Sequence, residues 1–359
     1  MSFNPLKIGD LIAKVPIIQG GMGVGVSLSS LAGAVAKEGG IGILSTAQLG
    51  YKNWELFDKH SLEANFEAVE TEFKRAKELS GGGIVGFNIM VATYKYEEYA
   101  KRAAEVGADV IISGAGLPID LPAYVEGAKT KIAPVVSSAK AAKIVLTRWL
   151  KKHNRLADFV VFEGPLAGGH VGFTVETMDE DIANTDTTFK DIVTYVNGFA
   201  AEHGVEIPVI FAGGIFTKDD IAHAISLGAS GVQMGTRFVC TDECDAPLSY
   251  KERYLNSTKS DMVLLKSPVG MPGRAIKNHF SDYIKTHNIP MKETPEDRCR
   301  NCIQLALCPD RDPKPYCISK ALINSVTGNT DNGLLFAGAN AYRIDKLVSV
   351  KELIEELTA

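Results

Sequence analysis

The sequence predicts an α/β fold, a (β/α)8 TIM barrel with an inserted, mostly helical cap domain, and three observations predict it. First, eight short apolar runs, at 15–18, 41–44, 84–88, 110–113, 132–136, 159–162, 209–212 and 232–234, alternate with segments of helical character. Near-continuous apolar strands, each followed by a helix, indicate a parallel sheet buried on both faces. Eight such units suggest closure into a barrel, with an open doubly wound sheet as the alternative. Second, several runs end in glycine, which places permissive loops at the C-terminal ends of strands, where barrels carry their chemistry. Third, the alternation fails after Phe238, and the sequence becomes richer in Pro, Lys, Asp and Cys.

Taken in order, the elements support this plan. Between the first two runs, Leu31-Ala32-Gly33-Ala34-Val35-Ala36 is built of small residues, so its helix can pack closely on the sheet before Gly39-Gly40 ends it. Before the last run, Thr217 is a natural N-cap with Asp220 three positions on. Apolar Ile221, Ala224, Ile225 and Leu227 follow, and Gly228 terminates an amphipathic helix. The barrel is expected over 1–239, a cap with a cysteine-rich segment over 240–325, and a return to the barrel over 326–359, closing with a helix at 350–357.

Composition bounds the function. A chain of 359 residues, 45% hydrophobic, with a formal charge of −5, has enough apolar surface for one large α/β domain plus an elaboration. No Lys/Arg block offers the basic surface that a nucleic acid needs, so the expected partner is a small-molecule substrate, with a homodimer the macromolecular association left open. No apolar stretch approaches the roughly 20 residues that span a bilayer, and Met1-Ser2-Phe3-Asn4-Pro5 has no charged-then-apolar export pattern, so the expected location is cytoplasmic, without a membrane partner. Six cysteines are too few for a disulfide scaffold and are expected as thiols or ligands.

The glycine-bearing strand ends suggest a phosphate-bearing cofactor. Gln19-Gly20-Gly21-Met22-Gly23 follows the first run, Gly213-Gly214-Ile215 the seventh and Gly235-Thr236 the eighth. A phosphate needs several backbone N–H groups aimed at one point, and glycine lets the main chain come that close. Any single pair also reads as a tight turn. Asn88, ending the third run, could hydrogen-bond a heteroaromatic edge or form a turn. After the sixth run, Glu163-Gly164-Pro165-Leu166-Ala167-Gly168-Gly169-His170 brings a double glycine and an imidazole to a strand end, an acid/base group beside a backbone able to touch a ligand. The alternative for His170 is a loop histidine bonded to a carbonyl. His60, His153, His203, His223, His279 and His287 sit in polar or helical contexts and are expected at the surface. Neither the G-x-x-x-x-G-K-[ST] loop nor a G-x-G-x-x-G after a strand is present.

With these residues in place, the chain resembles the nitronate monooxygenase (2-nitropropane dioxygenase) family, relatives of the flavin-dependent enoyl-acyl-carrier-protein reductases. The resemblance rests on Pro16-Ile17-Ile18-Gln19-Gly20-Gly21-Met22-Gly23, Gly86-Phe87-Asn88, Ala167-Gly168-Gly169-His170, Ala212-Gly213-Gly214-Ile215 and Gln233-Met234-Gly235-Thr236-Arg237-Phe238, with Gly273-Arg274-Ala275-Ile276-Lys277-Asn278 extending it into the cap. It implies a barrel with non-covalent FMN. Gly21, Met22, Gly23 and Asn88 would line the flavin, and Gly168, Gly213, Gly214, Gln233, Gly235 and Thr236 would surround the ribityl chain and phosphate. Glu163 and Met234 belong to the same cofactor set, and His170 would be catalytic. At position 163 the monooxygenases often carry glutamine, whereas this chain has Glu163, as the enoyl reductases tend to. The implied function is oxidation of alkyl nitronates by dioxygen. The alternative is NAD(P)H-dependent reduction of an enoyl thioester. From other classes come a non-catalytic flavin binder and a phosphate-binding barrel enzyme without flavin.

Cys299, Cys302, Cys308 and Cys317 form a dense C-x2-C-x5-C-x8-C segment. Thiolates from one compact loop can reach a single centre, so an iron–sulfur cluster or zinc is one reading and independent thiols the other. Cys240 and Cys244 read as packing residues.

Overall fold

The structure, a computed structural model, describes residues 3–286, 302–304 and 316–359. The predicted runs are the barrel strands, with ends shifted by a residue or two: β1 (Ile17–Gln19), β2 (Ile41–Ser45), β3 (Ile84–Met90), β4 (Val110–Gly114), β5 (Lys131–Val136), β6 (Val160–Glu163), β7 (Val209–Ala212) and β8 (Gly231–Met234). Each pairs in parallel with its sequence neighbour, and β8 returns to β1 through Val232↔Ile17 and Met234↔Gln19, so the sheet closes.

Strand alternation separates two apolar layers. Ile18, Ile41, Ile43, Val110, Ile112, Val161 and Ile210 fill the barrel interior. Phe87, Ile111, Val160, Phe162, Phe211 and Val232 face out into the helix layer. The bottom is plugged by a hairpin, Leu6–Ile8 with Leu11–Ala13, whose Leu6, Ile8 and Ala13 complete the interior cluster. Close packing explains the small residues of the first barrel helix, Ser29–Lys37. A Cβ on Gly42 of β2 would lie 1.8 Å from the Ala32 carbonyl oxygen, and one on Gly33 would lie 2.6 Å from Leu79 Cβ. The helix Lys218–Ser226 has the predicted Thr217 N-cap with a full Thr217–Asp220 capping box. The closing helix, Val350–Thr358, has its own box from Ser349 and Glu352.

Past the barrel, described helices Leu248–Leu255, His279–Thr286 and Ile318–Val326 accompany one hairpin, Met262–Lys266 with Pro272–Ile276, that the sequence did not single out. Tyr250, Tyr254, Ile323 and Leu335 join the barrel's outer layer in one core. Cys240 and Cys244 are buried among these groups, which pushes both thiols up to about 12. Among the described residues no helix is long and apolar enough to cross a membrane. His60, His203, His223 and His279 are exposed. His153 corrects the expectation: its side chain is 12% exposed, because Nε2 turns in to the Ile119 carbonyl at 3.1 Å. His287 lies outside the described residues.

Candidate active site

Strand parity decides which polar side chains reach the barrel mouth. Phe87 and Ile89 face the helices, so Asn88 faces in; Phe162 faces out, so Glu163 faces in; Val232 and Met234 face out, so Gln233 faces in. Met234 therefore packs its side chain in the outer layer and offers the mouth only backbone, its carbonyl accepting from Gly20 N–H at 2.9 Å. The loop after β1 lies flat over this floor. A Cβ on Gly21 would fall 2.3 Å from Asn88 Cβ, and one on Gly23 would fall 2.5 Å from Ala47 Cβ. Ser27 holds the loop's turn by accepting from Met22 N–H at 2.8 Å. After β7, Gly213 and Gly214 adopt φ of 92° and 90°, the left-handed region open to glycine. After β8, Gly235 packs on the Met22 sulfur and the Thr236 hydroxyl accepts from Gly338 N–H at 3.1 Å.

The histidine loop is clamped from the cap side. Gly169 and His170 pair antiparallel with Arg274 and Gly273 of the hairpin. The buried Arg274 guanidinium donates to the carbonyls of Pro165 and Ala167, and burial holds its pKa down. His170 Nε2 lies 2.7 Å from Ser267 Oγ, and its ring meets Phe336 edge-on at 5.0 Å. The carbonyl-bonded alternative for His170 is thus replaced by a hydroxyl partner. Burial lowers the His170 pKa to about 4 and raises that of Glu163 to about 7. Both side chains keep some accessible surface, and that surface lines the partly open cavity, where the surrounding protein still removes most of their water.

The cavity measures about 730 Å³ and runs over the barrel mouth. Gly21, Met22, Gly23, Asn88 and Glu163 line it, as do Gly168, His170, Gly213 and Gly214, and then Gln233, Met234, Gly235 and Thr236. Every sequence-predicted cofactor and catalytic position therefore reaches one space. The sequence model of the nitronate monooxygenase family matches residues 4–359, covering the barrel and the segments that clamp it. The chain belongs to the nitronate monooxygenase family.

Proteins similar to it span several activities. A (3aS,4S,5R,7aS)-5-hydroxy-7a-methyl-1-oxo-octahydro-1H-indene-4-carboxyl-CoA dehydrogenase of Mycobacterium tuberculosis is 26% identical, over 95% of this chain and 91% of its own. A probable nitronate monooxygenase of Staphylococcus saprophyticus is 25% identical, over 78% and 80%. FabK from Thermotoga maritima has a TM-score of 0.70 at 26% identity, covering 96% of this chain and 91% of that one. As a member of the nitronate monooxygenase family the protein is a flavin-dependent oxidoreductase.

The residues present fit a flavin. Gln233 Oε1 is buried with no hydrogen-bond partner, an arrangement that costs roughly 1–3 kcal/mol unless a ligand N–H meets it. The glycines let the loop after β1 lie flat on the barrel floor, because side chains at Gly21 and Gly23 would collide with Asn88 and Ala47. Among the described lining residues there is no Lys or Arg; Glu163 and His170 stand in an otherwise polar-neutral and apolar wall. The sequence reading missed part of that wall. Asn340 Nδ2 ties the Gly214 carbonyl at 2.7 Å, and Met271, Phe336 and Gly338 close the cavity from the cap and tail. Gly338 and Asn340, a glycine and an amide close together in the tail, were the available signal.

Of the cysteine quartet, Cys302 lines the cavity and Cys317 precedes the helix Ile318–Val326, while Cys299 and Cys308 lie outside the described residues. Among the described residues no group of three or more His, Cys, Asp or Glu side chains could hold a metal ion.

Proposed function

We propose that this member of the family is an FMN-dependent reductase of neutral, conjugated thioesters, using a reduced nicotinamide as electron donor. The observation that carries the proposal is the charge of the cavity: its described lining has no cation, its imidazole is neutral above about pH 4, and its carboxyl is held up to about 7. An anionic substrate would enter an apolar space without a counter-charge, which is costly. An enoyl thioester carries no charge at its reacting end. The similarity to a CoA-thioester dehydrogenase supports the same choice, as does Glu163.

FMN, when bound, would supply the two-electron redox chemistry that links the reduced nicotinamide to the conjugated double bond. We assign the flavin-ring contacts to Gly21, Met22, Gly23, Asn88 and Gln233, and the phosphate and ribityl contacts to backbone at Gly168, Gly213, Gly214, Gly235 and Thr236. His170, being neutral, is assigned to hydrogen-bond the thioester carbonyl and so stabilise charge developing there. Glu163 is the cavity group that holds a proton near neutrality and is assigned to supply one toward the α-carbon.

The family match and its probable nitronate monooxygenases favour a second reading, oxidation of a nitronate by dioxygen. Anaerobic reduction of the yellow holoprotein separates the two. Bleaching by NADH or NADPH followed by reoxidation with an enoyl thioester is expected. Inertness to both nicotinamides, with bleaching by an alkyl nitronate and nitrite release in air, would sink the reductase reading.

A further inference from the structure

His170 is not an isolated imidazole. Its Nε2 meets Ser267 Oγ at 2.7 Å, joining two segments distant in sequence, the loop after β6 and the turn of the cap hairpin. Ser267 is 3% exposed, so its hydroxyl is not left to bulk water.

Hydrogen-bond counting gives this contact a direction. A serine hydroxyl has one proton and two acceptor sites. The Val269 N–H points at Ser267 Oγ from 3.4 Å, a long contact that takes up one acceptor site. A buried hydroxyl needs an acceptor for its proton; among the described residues the acceptor in hydrogen-bond contact with Ser267 Oγ is His170 Nε2. The serine proton is then directed to His170 Nε2. An imidazole that accepts at Nε2 carries its own proton on Nδ1, since the tautomer is set by the bond that the other nitrogen makes. Nδ1 has no hydrogen bond to the described protein, and His170 lines the cavity.

We propose that Ser267 is a positioning residue that locks His170 in the Nδ1–H tautomer, so that the imidazole presents an N–H donor to a substrate oxygen. His170 then acts as a neutral electrophile and does not exchange a proton with the substrate. The proposal rests on the assignment of His170 to the substrate made above, but it does not depend on which substrate that is. No motif of the barrel contains Ser267, because it lies in the part of the chain where the strand–helix alternation has ended.

The test reads the tautomer directly. In protein labelled with 15N-histidine, His170 is assigned by the signals that vanish in His170→Ala. The expected result is a protonated Nδ1 and an unprotonated Nε2 in the wild type, a shift toward mixed tautomers in Ser267→Ala, and restoration in Ser267→Thr. Turnover is expected to fall by roughly tenfold in Ser267→Ala at unchanged flavin content, with Ser267→Thr recovering most of it. A wild-type His170 protonated on Nε2, or a tautomer indifferent to Ser267→Ala in folded, flavin-loaded protein, would overturn the proposal. Because the spectrum needs no substrate, a wrong substrate assignment leaves this result standing, whereas a wrong tautomer leaves the reductase assay unaffected.

Discussion

Glu163 and His170 stand seven positions apart in the chain, yet the cavity shifts them in opposite senses, both through loss of water around the charged form. The consequence for stability is opposed as well. Glu163 has a native pKa of about 7 against an ordinary value of 4.5, so between these values the folded protein holds a proton that the unfolded chain releases. Stability contributed by this residue is lost as pH rises through that window. His170 has a native pKa of about 4 against 6.5, so the unfolded chain binds the extra proton and stability rises with pH from about 4 to 6.5. In the wild-type apoprotein the two slopes work against each other. Glu163→Gln is expected to remove one of them, leaving a melting temperature that climbs by roughly a few degrees from pH 4.5 to 6.5 and then levels. Thermal melts across that range check it, and a profile parallel to the wild type would show that Glu163 is not held near 7. The sequence identified both residues by their place after a strand, but nothing in it could set their proton affinities, which come from groups distant in sequence that exclude water.

Among the elements, the cap hairpin is the piece that turns a barrel loop into a rigid site. Pro272–Ile276 pairs with Gly169–His170, and Arg274 from the same strand satisfies two carbonyls of the loop it covers. Each buried carbonyl left without a donor costs about 1–3 kcal/mol. Arg274→Ala is therefore expected to destabilise the protein by about 2–5 kcal/mol and to loosen the loop that carries His170. Arg274→Lys would recover only part of this, because an ammonium cannot reproduce the fork that spans both oxygens. Denaturant unfolding monitored with flavin content measures both effects; an alanine variant as stable as the wild type would remove the hairpin from this role. The helices and barrel strands were legible because each repeats a local pattern, a capping box or an apolar run. The hairpin was not, since its strands, Met262–Val263-Leu264-Leu265–Lys266 and Pro272–Ile276, lie in a segment whose composition points to helix and loop, and its pairing partner is about a hundred residues away.

In the whole molecule, stability and chemistry sit at opposite ends of one barrel. The bottom is closed by the Leu6–Ile8 hairpin, with Leu6 packed near Gly231 at the start of β8 and Asp10 paired with Lys131 at the start of β5. Ile8 is fully buried. Ile8→Ala should cost about 2–5 kcal/mol of stability while flavin content and turnover at low temperature stay unchanged, because the cavity lies at the strands' other ends. Loss of flavin in a protein that still melts cooperatively would show that the two ends are coupled. By itself the sequence determined the barrel, the order of its strands and the residues at its mouth: period-two alternation and glycine at strand ends are local properties that backbone sterics convert into one geometry. It also carried the family. Only the tertiary structure decided that segments past Phe238 supply part of the cavity lining, that Gln233 Oε1 is left without a partner, that the described lining has no cation, and that Ser267 stands behind His170. Those facts depend on which groups become neighbours when distant segments pack, and on the water that such packing removes.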